Sequence, residues 1–436
     1  MANRFNVRPL FVPGPADLAR EVARIETFPE RVAAATSNGS FVVLHVSGLE
    51  AMAAMVLKQE LLALNADCVI SPEVYLGDGS ARTDGVLMGT SRQYARLVPR
   101  LRHFPIGDLP GLAEEIERTL AGVAGTPDPI EVAGTSLIWG ERTYVMGILN
   151  ITPDSFSGDG LAAGASVPGQ SLVADALSQA RAFLDAGADL LDVGGESTRP
   201  GAMPVSVEEE RERVVPVVEA LHAEIGVPIS VDTYKAEVAA AALDAGASLV
   251  NDVWGLRGRE GGWNEALARV VAEREVPLVL MHNRRAAATS GAIGGHYRDV
   301  AYADLMGEIV GELRECVAFA ETHGISAQRI IVDPGIGFGK TPAQNVEVLR
   351  RLGELRAIGR PILLGTSRKS FIGRALNAAP DERVEGTAAT VALGIQAGAD
   401  IVRVHDVAQM VRVARMADVL VRPGAWERAT ASTPQS

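Results

Sequence analysis

Residues 144–160 read YVMGILNITPDSFSGDG, an apolar run that breaks off at a polar, turn-forming segment. Residues 144–149 have the unbroken apolar character of a buried strand, and Asn150 stands where that run ends. Thr152, Pro153, Asp154, Ser155 and the Gly158-Asp159-Gly160 triplet cannot continue it, because Pro brings no amide donor and Gly nothing to pack, so they read as a long polar loop. In α/β proteins ligands are held just past the carboxyl ends of parallel strands. The competing reading is an ordinary strand-to-helix connection.

The flanking sequence favours a ligand-holding loop. From about residue 133 the chain alternates strand-like and helix-like stretches. A hairpin at 135–139, turning at Gly140 and Glu141, leads into 144–149, and further buried strands are expected at 189–193, 228–231, 248–251, 277–281, 329–332, 361–364 and 400–404. Helical spacing appears between them, as at 171–186, 207–224, 236–245 and 302–323. Asp-Ala-Gly-Ala at Asp185 and Asp244, and Gln-Ala-Gly-Ala at Gln396, each close a helix with Gly and feed a strand directly. Eight such units in about 290 residues match a (β/α)8 barrel, whereas an open doubly wound sheet usually has fewer strands and a Gly-rich first turn. The predicted fold is α/β, with a (β/α)8 TIM barrel over residues 133–422.

Residues 1–128 read as a separate small α/β domain: a strand at 41–46, a helix at 50–66, an extended stretch at 67–76, and helices at 91–101 and 109–123. Gly125, Pro127 and Pro129 mark the linker. This part carries no constellation of ligands or catalytic groups, and Lys58, Gln59 and Glu60 read as a solvated helix face. The end of the chain, 423–436, is rich in Ala, Thr, Ser and Pro and is expected to be a disordered tail.

Composition narrows the function classes. A hydrophobic content of 47% over 436 residues supports a substantial core. A net charge of −13 argues against a nucleic-acid partner, since phosphate backbones call for clustered Lys and Arg. Cys68 and Cys316 stand in apolar contexts far apart and read as buried thiols. The first residues lack the pattern of a secretory leader, and no segment has the length of a membrane span, so a cytoplasmic protein without a membrane partner is expected.

A barrel brings all eight strand ends to one face, and here every end is polar. They carry Asn150, Asp192 followed by GGESTRPGA, Asp232, Asn251 with Asp252, His282, Asp333 within DPGIGFGK, the run Ser367-Arg368-Lys369-Ser370, and Arg403 with His405. Arg403 and His405 lie two apart on a strand and point the same way, into the mouth. A buried arginine without an anionic partner is costly, which favours an anion site over structural pairing.

The set MGILNITPDSF, DVGGESTRPGA, VDT, ND, DPGIGFGK, SRKSFIG, EGT and VRVHDV resembles, in the same order and over about residues 140–420, the dihydropteroate synthase family of pterin-binding barrels. The amino-terminal unit resembles only some longer members. The resemblance implies condensation of 6-hydroxymethyl-7,8-dihydropterin diphosphate with 4-aminobenzoate, giving 7,8-dihydropteroate and pyrophosphate in folate synthesis. It implies that Asp232, Asn251 and Asp333 read the pterin edge and that Lys369 touches the pterin and spans toward the aminobenzoate. Asn150, Arg403 and His405 match its diphosphate site, with Asn150 also the position associated with Mg2+. Thr198, Arg199 and Pro200, with Phe338 and Ser370, match the aminobenzoate pocket, and Arg199 is grouped with Lys369, Arg403 and His405 as catalytic. A homodimer through barrel helices and competition by sulfonamides are implied as well.

The residue types suit that chemistry independently. A guanidine-like row of N–H donors is matched by carboxylates and an amide, and departing diphosphate by Arg and His with Mg2+. An arylamine is neutral at pH 7, so no strong general base is needed. Other readings compete. PGIGFGKT resembles a phosphate-binding loop, but Pro334 occupies the place of its first Gly and the motif fails. His282 is either a ligand contact or a satisfied structural histidine, and Trp254 either covers the pterin or belongs to the core. His296 and Tyr297 fall in a Gly- and Ala-rich connection. In the first loop Asp159 is displaced by one residue from the commoner Ser-Asp-Gly-Gly order, so it receives no role. The alternatives are a pterin-dependent methyltransferase, which lacks the SRKS, TPDSF and STRPGA elements, and a non-catalytic pterin-binding homologue.

Overall fold

A computed structural model of the chain describes residues 8–10, 12, 14–76, 81–151, 172–197, 204–258, 261–284, 297 and 300–431. The chain divides into two compact units, Met1–Gly125 and Thr126–Ser436.

The first unit is an antiparallel sheet of β1 (Phe41–Glu50), β2 (Asp67–Ile70) and β3 (Arg82–Thr90), in the order β1-β3-β2. Helices Pro15–Ala23 and Pro29–Gly39 precede it, and helices Ala51–Ala63, Ser91–Leu101 and Leu109–Ala124 supply most of its core with Leu57, Leu61, Leu97 and Leu109. Thr90 caps Ser91–Leu101, exchanging hydrogen bonds with Gln93 in a capping box. The expected extended stretch at 67–76 is corrected: only Asp67–Ile70 is strand, and Glu73–Leu76 is a helical turn. Pro72, with φ preset and no amide to satisfy, suits the start of that turn.

In the second unit a hairpin of β4 (Ile130–Val132) and β5 (Thr135–Leu137) precedes the barrel. The expected hairpin at 135–139 is corrected: Thr135–Leu137 pairs back onto Ile130–Val132 and the chain reverses at Ala133 and Gly134, whose φ values of 48° and 77° are those a tight two-residue hairpin needs, while the turn expected at Gly140 and Glu141 is present and leads into the next strand. Eight parallel strands follow: β6 (Tyr144–Asn150), β7 (Leu190–Gly194), β8 (Ile229–Asp232), β9 (Leu249–Asp252), β10 (Leu278–Met281), β11 (Ile330–Asp333), β12 (Leu363–Leu364) and β13 (Ile401–Val404). They pair in the order β11-β10-β9-β8-β7-β6-β13-β12, and a parallel bridge between Val332 and Ile362 joins the two ends, closing a (β/α)8 barrel. The tail expected to be disordered is also corrected: Ala425–Ala431 is helical. Its Ala and Glu favour helix, Ala425 is buried, and Arg428 donates to the Glu141 carbonyl, which ties the turn to the barrel unit.

The two-residue period of a strand explains where the core stops and the mouth begins. One layer inside the barrel is apolar, built from Met146, Leu190, Leu249, Val279, Ile331, Leu363 and Ile401, with Ile130, Leu137 and Trp139 packed against it. Two residues further along the same strands stand Ile148, Asp192, Asn251, Met281, Asp333, Gly365 and Arg403. On four of these strands, at Asp192, Asn251, Asp333 and Arg403, that two-residue step passes from a sealed core to a polar floor.

Candidate active site

Above that floor lies a cavity lined by Ile148, Asn150, Asp232, Asn251, Val253, Met281, Asp333, Ile336, Phe338, Gly365, Ser367, Lys369, Arg403 and His405. It brings together eight of the residues singled out from the sequence. Ser370 is exposed at the start of helix Ser370–Leu376 and does not line it. Thr198, Arg199 and Pro200 lie outside the described residues, as do His296 and the Gly158-Asp159-Gly160 segment.

The acids are deeply set. Asp232, Asn251 and Asp333 are buried, and burial pushes the Asp232 carboxyl up to about 7 against the lowering influence of Arg403. Burial also raises Asp333, opposed by the Gly335 N–H, which donates to its Oδ1 at 2.7 Å, and by the charge of Lys369. Arg403 donates from Nε to Asp192 Oδ2 at 2.5 Å and from Nη2 to Asp232 Oδ2 at 2.7 Å, so the guanidinium is already paired within the floor. Asp192 is the site residue that sequence reading left without a role. It is fully buried and also accepts from Asn251 Nδ2 at 3.1 Å.

The cations are placed by unusual backbone. Arg368 has φ of 57° and donates through Nε and Nη2 to the Asp406 carboxylate, and this turn delivers Lys369 into the cavity. The Lys369 ammonium lies 4.2 Å from the centre of the Phe338 ring, and burial brings its pKa down to about 8. Ser367, a second residue the sequence did not single out for a role, places its hydroxyl 3.1 Å from the His405 amide and 3.0 Å from His405 Nδ1.

DPGIGFGK has a structural logic of its own. At Gly335, φ is 67° and an added Cβ would stand 2.0 Å from the His282 carbonyl oxygen; at Gly337, φ is 87° and a Cβ would stand 3.0 Å from Lys369 Cδ. Only glycine lets this loop pass under the cavity wall. Lys340 then reaches back to donate to the Gly335 and Phe338 carbonyls, each at 3.1 Å, and to His282 Nδ1 at 2.9 Å. His282 is therefore the satisfied structural histidine: its Nε2 meets Glu312 at 3.1 Å, and burial holds its pKa at about 4. Trp254, buried with Val253, Met281 and Phe338, packs in the wall beside the cavity rather than lining it.

Comparison with known proteins agrees with this geometry. A family model described as pterin binding enzyme matches residues 146–405. A dihydropteroate synthase of Bacillus subtilis is 47% identical over 295 residues, which is 68% of this chain and 94% of the relative. A probable bifunctional folylpolyglutamate synthase/dihydropteroate synthase of Haloferax volcanii is 41% identical over 383 residues, covering 86% of this chain but 43% of that protein. That match is longer than the second unit and so reaches into the first. Among solved structures, a Xanthomonas albilineans dihydropteroate synthase with 4-aminobenzoic acid is 39% identical, with a TM-score of 0.59 over 71% of this chain and all of its own. The chain belongs to the pterin-binding enzyme family, among the dihydropteroate synthases.

Proposed function

We propose that the chain condenses 6-hydroxymethyl-7,8-dihydropterin diphosphate with 4-aminobenzoate, releasing pyrophosphate and 7,8-dihydropteroate. The observation that carries this reading is the meeting, in one cavity, of a buried acceptor set, Asp232, Asn251 and Asp333, with the basic side chains Lys369, Arg403 and His405. The acceptors suit the guanidine-like edge of a pterin. The cations suit the charge that grows on a departing diphosphate and stabilise it more in the transition state than before it. The bond from the pterin methylene to oxygen breaks first, the dihydropterin delocalises the resulting cation, and the neutral amine attacks the methylene and then loses a proton to solvent.

Lys369 lies beside the carbon that reacts, and Phe338 underneath it gives the aminobenzoate ring an apolar wall. Thr198, Arg199, Pro200 and Ser370 belong, in this reading, to the aminobenzoate end. Asn150 is the position for Mg2+. It offers a hard amide oxygen among the residues lining the cavity, and no group of three or more His, Cys, Asp or Glu among the described residues is arranged to hold a metal. That donor set fits Mg2+, which keeps much of its water and binds through few protein ligands together with substrate phosphates. When bound, the ion supplies further neutralisation of the leaving diphosphate.

A homodimer through barrel helices is part of the proposal, supported by Leu393, Met416 and Leu420, which stay 63%, 56% and 72% exposed on helices Val384–Gln396 and Val407–Val421. No described helix is long and apolar enough to cross a membrane, and free, buried Cys68 and Cys316 suit a reducing cytoplasm. The test is pyrophosphate release from the dihydropterin diphosphate with Mg2+, with 4-aminobenzoate present or withheld, alongside detection of dihydropteroate. Turnover to dihydropteroate supports the reading; its absence at high enzyme concentration leaves only a pterin-binding module.

A further inference from the structure

Asp192 does not line the cavity, yet two residues that do are hung on it. Its Oδ2 accepts both from Asn251 Nδ2, at 3.1 Å, and from Arg403 Nε, at 2.5 Å. The side chain is fully buried, and its second oxygen, Oδ1, has no hydrogen-bond partner among the described residues. Leaving a carboxylate oxygen unsatisfied in the interior is costly, and the two bonds that the other oxygen accepts offset that cost.

Two consequences follow from the geometry. An asparagine amide can turn over, exchanging its donor and acceptor ends, and only its partners decide which way it points. With Nδ2 held by Asp192, the Asn251 carbonyl is the end left for a ligand donor. Arg403 is likewise oriented. With Nε on Asp192 and Nη2 on Asp232 Oδ2, the guanidinium plane is set, and Asp232 keeps Oδ1 without a partner among the described residues.

We propose that Asp192 is a positioning residue that couples the two ends of the site, turning Asn251 toward the pterin and aiming Arg403 between Asp232 and the diphosphate. This rests on the functional reading above and deepens it. Asp192 acts as a shared acceptor, so what matters is an oxygen at that place. The charges facing Asp232 are Arg403 from β13, Asp192 from β7, Asp252 from β9, Glu210 from helix Val207–Glu224, and Lys369. Asp192 is one of those that raise its pKa, so its charge is also felt by the pterin-reading carboxyl.

The test compares Asp192→Ala and Asp192→Asn in the full chain, with 6-hydroxymethylpterin and inorganic pyrophosphate as titrated ligands. Asp192→Ala is expected to weaken both by about tenfold or more, the loss of one charge-assisted bond to each of two groups. Asp192→Asn keeps an oxygen for both donors and should stay within about threefold of the unsubstituted chain. Its pH profile for pterin binding should move to lower pH, because one carboxylate near Asp232 is gone. A merely structural role would not produce the loss of both ligands in Asp192→Ala together with their recovery in Asp192→Asn. If Asp192→Ala does not fold, Asp192→Leu, which fills the space without an acceptor, takes its place in the comparison. An unmoved profile, an Ala variant that binds both ligands normally, or an Asn variant as damaged as the Ala variant overturns the proposal. Failure of the unsubstituted chain to bind 6-hydroxymethylpterin would instead strike the functional reading on which the proposal rests.

Discussion

Lys340→Met gives a stability prediction whose sign and pH window can be worked from the structure. The Lys340 ammonium donates to His282 Nδ1 at 2.9 Å and to the Gly335 and Phe338 carbonyls at 3.1 Å, closing the loop that carries Phe338 beneath Lys369. Burial lowers its pKa from 10.5 to about 7, only partly offset by Asp333 and Glu312. Between those two values the unfolded chain holds a proton that the folded chain has shed. Stability contributed by this group therefore rises with pH across that window, by at most about 1.4 kcal/mol per pH unit. Below pH 7 the group is charged in both states, and the cost of burying it offsets much of what its hydrogen bonds contribute. Lys340→Met has no such proton. The expected outcome is a deficit of roughly 1 kcal/mol at pH 6 that widens by about 2 to 3 kcal/mol by pH 9. Urea unfolding followed by tryptophan fluorescence measures it cleanly, because all four tryptophans, Trp139, Trp254, Trp263 and Trp426, lie in the second unit. A deficit that is flat or narrows from pH 6 to 9 would refute the reasoning.

Other outcomes are expected. Lys369 loses its charge above its lowered pKa of about 8, so kcat/KM should fall above that pH, and a Lys369→Met variant, roughly tenfold or more slower, should lack the alkaline limb. An identical limb in the variant would assign the titration elsewhere. Lys235 joins the buried Glu196 and Glu210 carboxylates at 2.6 and 2.5 Å, and Lys235→Met should cost about 3 to 5 kcal/mol in the same unfolding assay, because two carboxylates lose their cation together. A loss under about 1 kcal/mol would mean that the triad contributes little. Asn150→Ala should raise the Mg2+ concentration needed for half-maximal rate by about tenfold while pterin affinity stays near normal. An unchanged Mg2+ requirement would remove Asn150 from that role.

What could be read from sequence follows from the regularity of strands. An apolar run ending in a polar residue marks a strand end, and the two-residue period puts Arg403 and His405 on one side without any coordinates. Convergence of the eight ends then follows from the barrel. Partnership among buried polar groups has no such period. Asp192 and Asp232 look alike in sequence, each an acid closing an apolar strand, yet one lines the cavity and the other stands behind it, holding Asn251 and Arg403. Arg403 was expected to need an anion because no partner was visible; its partners come from strands about 170 and 210 positions earlier in the chain. Lys340 sits in a motif resembling a phosphate loop, but it serves the carbonyls of its own turn. The hairpin slipped because Ala133 takes a left-handed conformation that its residue type does not advertise.

The division of labour in the cavity is tested most directly by titration calorimetry of 6-hydroxymethylpterin and pyrophosphate into Asp333→Asn and His405→Ala. The account predicts that Asp333→Asn weakens the pterin by about tenfold or more and leaves pyrophosphate nearly unchanged, and that His405→Ala does the reverse. Both variants losing both ligands equally, or neither losing any, would contradict it.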